Sequence, residues 1–350
     1  MKVSIGTKIK DGPWGGGNLF AINLSNFLQS NGHQVVFDLN DNDIDLILIT
    51  EPRKTSESSA FTHIDVQKYK KFVNSKVIVV HRINECDERK NTNYVNKYLI
   101  YANRIADQTV YVSKWIMDLY LSQGIKSTYN KVIYAGADEE IFFPPSTSRK
   151  KENKKLKICT HHWGDNWNKG FDAYLLLDDL LNNQFWKEKI EFTYIGKVNK
   201  NANFKNTKII EPIAGETLAN ELRNNDLYIT GSINEPSGNH HIEAAQCGLP
   251  IMYIDSGGVS EYCKGFGLEY NLDNFEQKLK EIINNLYNYQ TNMSNYPHTS
   301  TKMCIEYLEL FNSLVLNNTL GSNKNLNSRF SIERIIYKFT RNLRKNFSQF

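Results

Sequence analysis

Short apolar runs alternate with longer amphipathic stretches along the whole chain. The runs at Val3 to Gly6, Gln34 to Asp38, Asp45 to Thr50, Val77 to Val80, Gln108 to Val112 and Lys131 to Tyr134 are bounded by polar residues, as buried strands are. Between them apolar residues recur at helical spacing over Asn18 to Asn31, Val66 to Asn74, Thr92 to Ala106 and Lys114 to Gln123. The rhythm restarts after a gap. It predicts strands at Leu156 to Thr160, Ile190 to Ile195, Lys208 to Ile210, Leu227 to Thr230 and Pro250 to Ile254, with helices at Phe171 to Leu181, at Thr217 to Asn224 and from about Asn239. From Phe275 onward the pattern is helical. Such alternation predicts βαβ units and mainly parallel sheets, an α/β protein.

A chain of 350 residues exceeds what one core organises, so two doubly wound, Rossmann-like domains are expected. They are residues 1–145 and 156–297, joined by a linker at 146–155 rich in Ser and charge. A helix at 298–316 follows, with a polar connector and a basic amphipathic tail over 317–350. In that tail Ile332, Ile335, Ile336, Phe339, Leu343 and Phe347 recur at helical spacing among Arg and Lys.

With 40% hydrophobic and 23% charged residues, the composition excludes disorder as the main state. A formal net charge of +4, without a concentrated basic stripe in the body, gives no support for a nucleic-acid partner. Five widely spaced cysteines without a C-x-x-C pair read as reduced thiols of a cytoplasmic protein. No apolar run approaches the ~20 residues a bilayer span requires, and the N-terminus has no long apolar h-region.

The chemistry concentrates in Glu235-Pro-Ser-Gly-Asn-His-His-Ile-Glu243, followed by AAQCGLP and then Gly257-Gly258. After a strand and at a helix start, Ser237, Gly238 and Asn239 bring backbone N–H groups to a helix N-terminus, which is a ready anion site. Two glutamates separated by seven residues in that context, with the A-x-x-C-G-x-P continuation, resemble the GT4-type retaining glycosyltransferases of GT-B fold. The resemblance spans about residues 1 to 315. It implies two Rossmann-like domains facing a central cleft, Glu235 toward the donor sugar, and Glu243 on the ribose hydroxyls, with Ser237, Gly238, Asn239 and His240 also at the donor.

Lys169-Gly170, in the first strand-to-helix loop of the second half, matches the family's Lys-Gly. There a lysine beyond a strand's carboxyl end can reach donor phosphates and steady the leaving group. The family's arginine five residues earlier is Gly164 here, and His161, His162 or an unassigned arginine stand as substitutes. Gly15-Gly16-Gly17 follows a strand and opens a helix; Gly16 and Gly17 match a Gly-Gly that faces the cleft between domains in the family, and are donor-binding candidates. His81, at the end of an apolar run, matches a histidine near donor sugar and acceptor; a structural histidine satisfied by backbone is the other reading. Asn84, Glu85, Asp87 and Arg89 are candidates for acceptor hydroxyls, with a solvated charge cluster as the alternative. Gly136 and Asp138 in Val132-Ile-Tyr-Ala-Gly-Ala-Asp resemble the family's turn closing the first domain.

The resemblance thus implies transfer of a sugar from a nucleotide-diphosphate sugar to a glycan or lipid-linked acceptor, with retention, His81, Lys169 and Glu235 catalytic, and no cofactor or essential metal. An AT-rich-genome composition fits bacterial cell-surface polysaccharide synthesis. Other GT-B activities, an epimerase or phosphorylase, and a non-catalytic nucleotide-sugar-binding protein remain open beside it. The tail at 329–350 fits either an anionic inner membrane face or packing on the first domain or a second copy.

Overall fold

Runs such as Leu46–Ile49 and Ile78–Ile83 carry no alternation because both their faces are covered, which is the mark of central parallel strands. In the computed structural model of the chain, the described residues are 1–10, 15–126, 129–145, 155–321, 337 and 341. The first six-stranded sheet contains β1 (Lys2–Ile5), β2 (Gln34–Val36), β3 (Leu46–Ile49), β4 (Ile78–Ile83), β5 (Gln108–Tyr111) and β6 (Asn130–Val132), in the order β2-β1-β3-β4-β5-β6. Its helices are α1 (Gly16–Ser30), α2 (His63–Phe72), α3 (Asp87–Lys90), α4 (Val95–Asn103) and α5 (Lys114–Ser122).

The second six-stranded sheet contains β7 (Leu156–His162), β8 (Ile190–Gly196), β9 (Lys208–Ile210), β10 (Leu227–Thr230), β11 (Ile251–Tyr253) and β12 (Gly267–Glu269), ordered β12-β11-β10-β7-β8-β9. With it go α6 (Phe171–Leu180), α7 (Gln184–Lys189), α8 (Gly215–Arg223), α9 (Asn239–Gln246), α10 (Val259–Cys263), α11 (Phe275–Asn284), α12 (Leu286–Asn292) and α13 (Ser300–Gly321). Every strand pairing in both sheets is parallel. In each sheet the strand order reverses between neighbouring strands, which opens a crevice at the carboxyl ends.

Besides the short helices α3, α7 and α10, which the sequence reading lacks, three elements differ from it. β4 runs past Val80 through His81 and Arg82 to Ile83, because these residues continue the ladder with Thr109, Val110 and Tyr111 of β5. The short edge strand β12 escapes a hydrophobic-run search because it holds one apolar residue, Leu268. α13 continues to Gly321 rather than giving way to a connector after residue 316.

α13 returns to the first sheet. Its Tyr307 and Phe311 share a core with Phe20, Leu24 and Leu28 of α1, and the Phe20 and Tyr307 rings lie 5.2 Å apart. The linker at 146–154 and most of the tail lie outside the described residues. Of the tail, Tyr337 packs 5.4 Å from Phe72, and the buried Arg341 lies over the Tyr69 ring and donates to the Asn40 carbonyl. All five cysteines are buried and unpaired. Among the described residues no helix is long and apolar enough to cross a membrane.

The two domains are locked on the α5 side by Glu261 of α10. Its carboxylate accepts the backbone N–H groups of Lys114 and Trp115 at 2.7 Å each and the Tyr134 hydroxyl at 2.9 Å. One domain thereby caps a helix of the other, placing negative charge at that helix's N-terminus. The next residue, Tyr262, accepts from Ala135 N at 3.0 Å and donates to Val112 O. Glu261→Ala should lower the unfolding free energy by about 1–2 kcal/mol, the usual worth of such a cap. Chemical denaturation measures this, and an unchanged midpoint would deny the junction its role.

Candidate active site

The carboxyl ends of both sheets face a cleft of 540 Å³ between the domains, lined from both sides. Lys169 reaches it because β7 ends at His162 and the chain turns through a short 3-10 turn, Trp167–Lys169. Gly170 then takes φ +103°, and a Cβ there would lie 2.4 Å from the Gly231 carbonyl carbon. The Lys-Gly pair is therefore a packing requirement as well as a sequence match: only glycine lets the turn press onto the end of β10. The Tyr174 hydroxyl fixes the turn by donating to the Lys169 carbonyl at 2.8 Å.

Glu235 lies on the loop after β10. That loop rests on Gly257, whose φ of +68° and 2.5 Å gap to the Glu235 carbonyl admit no side chain, and Gly258 N donates to the same carbonyl at 2.9 Å. Lys169 Nζ lies 2.7 Å from Glu235 Oε2, and Arg89 Nε of α3 lies 2.9 Å from Oε1. Arg89 is shared with Glu85, which also pairs with Lys90. Burial alone would raise the Glu235 pKa, but Arg89 and Lys169 hold it well below the usual carboxylate range. Burial lowers that of Lys169, and Glu235 opposes it.

Gly238 takes φ +76° and opens α9, which has no side-chain cap, so its first N–H groups are offered to the cleft beside Ser237, Asn239 and His240. One turn on, Glu243 meets His161 Nε2 at 2.9 Å. His162 pairs with the Tyr174 hydroxyl at 2.6 Å and His240 with Thr230 Oγ1 at 3.0 Å. Burial pushes both rings well below the ordinary histidine pKa, so they are neutral and supply no phosphate cation. Gly164 itself sits beside Lys169, its added Cβ falling 3.7 Å from Lys169 Cε.

On the opposite wall stand Gly16, Gly17, Asn84, Glu85 and Arg89, as expected from the sequence, together with Lys8, Thr50, Glu51 and Arg82, which sequence reasoning missed. Asn18 closes the glycine loop, accepting from Lys10 N at 3.0 Å and donating to Lys10 O at 2.9 Å. Gly12, Pro13 and Trp14 lie outside the described residues.

Two residues do not go where the sequence pointed. His81 is 0% exposed, pairs with Asn103 at 2.9 Å and is absent from the cleft wall. Strand alternation turns it to the α4 side and gives the cleft to Arg82. Asp87 faces its own backbone, accepting from Tyr94, Val95 and Asn96 N–H groups and from Thr92, which caps α4 rather than meeting an acceptor. Among the described residues no group of three or more His, Cys, Asp or Glu is placed to hold a metal ion.

Residues 184–298 match the model of the family described as glycosyl transferases group 1. This stretch is what the chain shares with group 1 glycosyltransferases. It includes Glu235 and Glu243, whereas Lys169 and the whole first domain precede it. The fold is GT-B, shared with solved glycosyltransferases at low identity. Sucrose-phosphate synthase (tll1590) from Thermosynechococcus elongatus is 12% identical, with a TM-score of 0.63 over 90% of this chain and 99% of that one. Anabaena Alr3699/HepE in complex with UDP-glucose is 14% identical, with a TM-score of 0.64 over 89% and 100%. A glycosyltransferase from Rickettsia africae ESF-5 is 14% identical, at 0.63 over 90% and 99%. No curated protein sequence matches the chain.

Gly170→Ala should destabilise the second domain by on the order of 1–3 kcal/mol through backbone strain and displace Lys169. A thermal melt equal to that of the wild type would contradict the fitted turn. Acid should destabilise the protein through its buried histidines. Burial lowers His81 from 6.5 to about 4 and His241 from 6.5 to about 3. The unfolded chain therefore binds these protons first as pH drops. Stability conferred by the neutral rings is complete above the unfolded value of 6.5 and is lost progressively as pH falls toward the folded values. Melting temperature against pH should descend through that window, and less steeply in His81→Asn; parallel curves would contradict the assignment.

Proposed function

We propose that the protein transfers a sugar from a nucleoside-diphosphate sugar to an acceptor hydroxyl with retention of anomeric configuration, without a cofactor or essential metal. The observation that carries this reading is the convergence of Lys169, Glu235, Glu243 and the uncapped start of α9 on one interdomain cleft. The donor diphosphate would lie against the α9 N–H groups and Lys169, where developing negative charge meets donors already in place. Glu243, oriented by His161, would take the ribose hydroxyls. Complexes of HepE with UDP-glucose and with UDP and glucose support the donor class.

Glu235 is a poor nucleophile here, since both its oxygens are held by cations. Its role is to accept hydroxyls of the donor sugar once the nucleotide competes for Lys169. The glycosidic bond breaks toward the diphosphate through a transition state of oxocarbenium character. The acceptor oxygen then bonds to the same face of the sugar and its proton passes to the departing phosphate. Asn84 and Glu85 on the first-domain wall would orient that acceptor, a glycan or a lipid-linked saccharide at the cytoplasmic side of a membrane. The membrane reading of 329–350 rests on sequence alone, since that tail lies almost wholly outside the described residues.

Calorimetry with UDP, GDP and ADP should find one that binds, with Lys169→Ala weakening it by about tenfold or more, equal to about 1.4 kcal/mol. Glu243→Ala should weaken the nucleotide and leave pyrophosphate unaffected. Binding of no nucleotide would leave a twin-domain scaffold as the better description.

A further inference from the structure

Arg82 is a buried cation of the cleft that the donor site leaves unused, unlike the exposed Lys8 on the same wall. Lys169 and Arg89 are neutralised by Glu235 and Glu85, and Lys10 is bonded to Glu57. Arg82 is only 4% exposed, its Nε has no hydrogen-bond partner, and among the described residues no carboxylate pairs with it. A guanidinium does not shed its proton at physiological pH, so a buried one without a counter-charge is costly in the empty cleft. Its relief is by neutral contacts only: its guanidinium stacks 4.0 Å over the Phe20 ring and lies beside the Tyr307 hydroxyl, neither of which carries a counter-charge.

Its position tells what it awaits. Phe20 stands one helical turn after Gly16 on the same face of α1, so Arg82 lies beneath the start of that helix, which has no side-chain cap. Gly16 in turn abuts the start of α9, since a Cβ at Gly16 would lie 2.6 Å from Asn239 Oδ1. Two helix N-termini and an unpaired guanidinium therefore meet at one end of the cleft, each favouring negative charge. We propose that Arg82 is an anion-binding residue that grips a phosphoryl group in the cleft. The planar fork suits a tetrahedral oxyanion with two oxygens presented to it. The phosphoryl group comes either from the donor diphosphate, in which case this inference rests on the proposed function, or from a phosphorylated acceptor.

The test is calorimetry of the full chain with pyrophosphate, inorganic phosphate and the nucleoside diphosphate that binds, on wild type, Arg82→Gln and Arg82→Lys, each checked by thermal melting. Pyrophosphate binding should fall tenfold or more in Arg82→Gln and less in Arg82→Lys, which keeps the charge but not the fork. An equal loss for the nucleoside diphosphate assigns the donor as source. Phosphate binding to nucleotide-saturated wild type, abolished in Arg82→Gln, assigns the acceptor. Should Arg82→Gln fail to fold, Arg82→Lys with wild-type affinity for all three anions overturns the proposal, as does a folded Arg82→Gln with unchanged affinities. A nucleotide lost in Lys169→Ala but kept in Arg82→Gln together with undiminished pyrophosphate and phosphate binding sinks Arg82 alone. Pyrophosphate binding that depends on Arg82, with no nucleotide bound by wild type, sinks the donor reading alone.

Discussion

A carboxylate buried at the bottom of a cleft is tolerable only if cations reach both its oxygens, and for Glu235 those cations come from different domains. Lys169 belongs to the loop after β7 and Arg89 to a short helix of the first domain. That pair of contacts makes the closed arrangement of the two domains and the ionised state of the site one and the same condition. Asn168 and Asn234 add to it by donating to the Arg89 and Glu88 carbonyls at 3.2 and 3.3 Å. Opening the cleft would strip Glu235 of one partner. A ligand bearing its own negative charge would instead compete for Lys169 and free the carboxylate for hydroxyl groups.

The rest of the second domain serves to bring these atoms to one place. Glycines at 170 and 257 remove side chains where backbone must touch backbone, and the His and Tyr residues beneath the cleft fill its floor with neutral, hydrogen-bonded rings. Burial keeps those rings uncharged, so the positive potential of the cleft comes from lysine, arginine and helix starts rather than from histidine. On the proposed function, this architecture would hold a polar, anionic ligand spanning two domains.

Much of this was legible in the sequence because it depends on local rules. The βα rhythm dictated two parallel sheets, and the Lys-Gly and Glu235-to-Glu243 patterns lie on single loops whose backbone demands glycine or a helix start. What escaped notice depends on long-range register. His81 and Arg82 are neighbours, and only the pairing of β4 with β5 decides which of them faces the cleft. Asp87 reads as a surface acid until α4 is seen to begin where its carboxylate can cap it. Arg82 carried no motif at all. Its interest comes from having no paired carboxylate among the described residues, a property of the folded surroundings that linear spacing does not encode.

The most direct test is a crystal structure of the protein with the nucleoside diphosphate it binds. The account predicts the diphosphate between Lys169 and the first turn of α9, the ribose on Glu243, and Glu235 displaced from Lys169 toward the vacant sugar position. A nucleotide bound outside the interdomain cleft, or one held inside it with the Lys169 and Glu235 pair intact and neither touching the ligand, would contradict it.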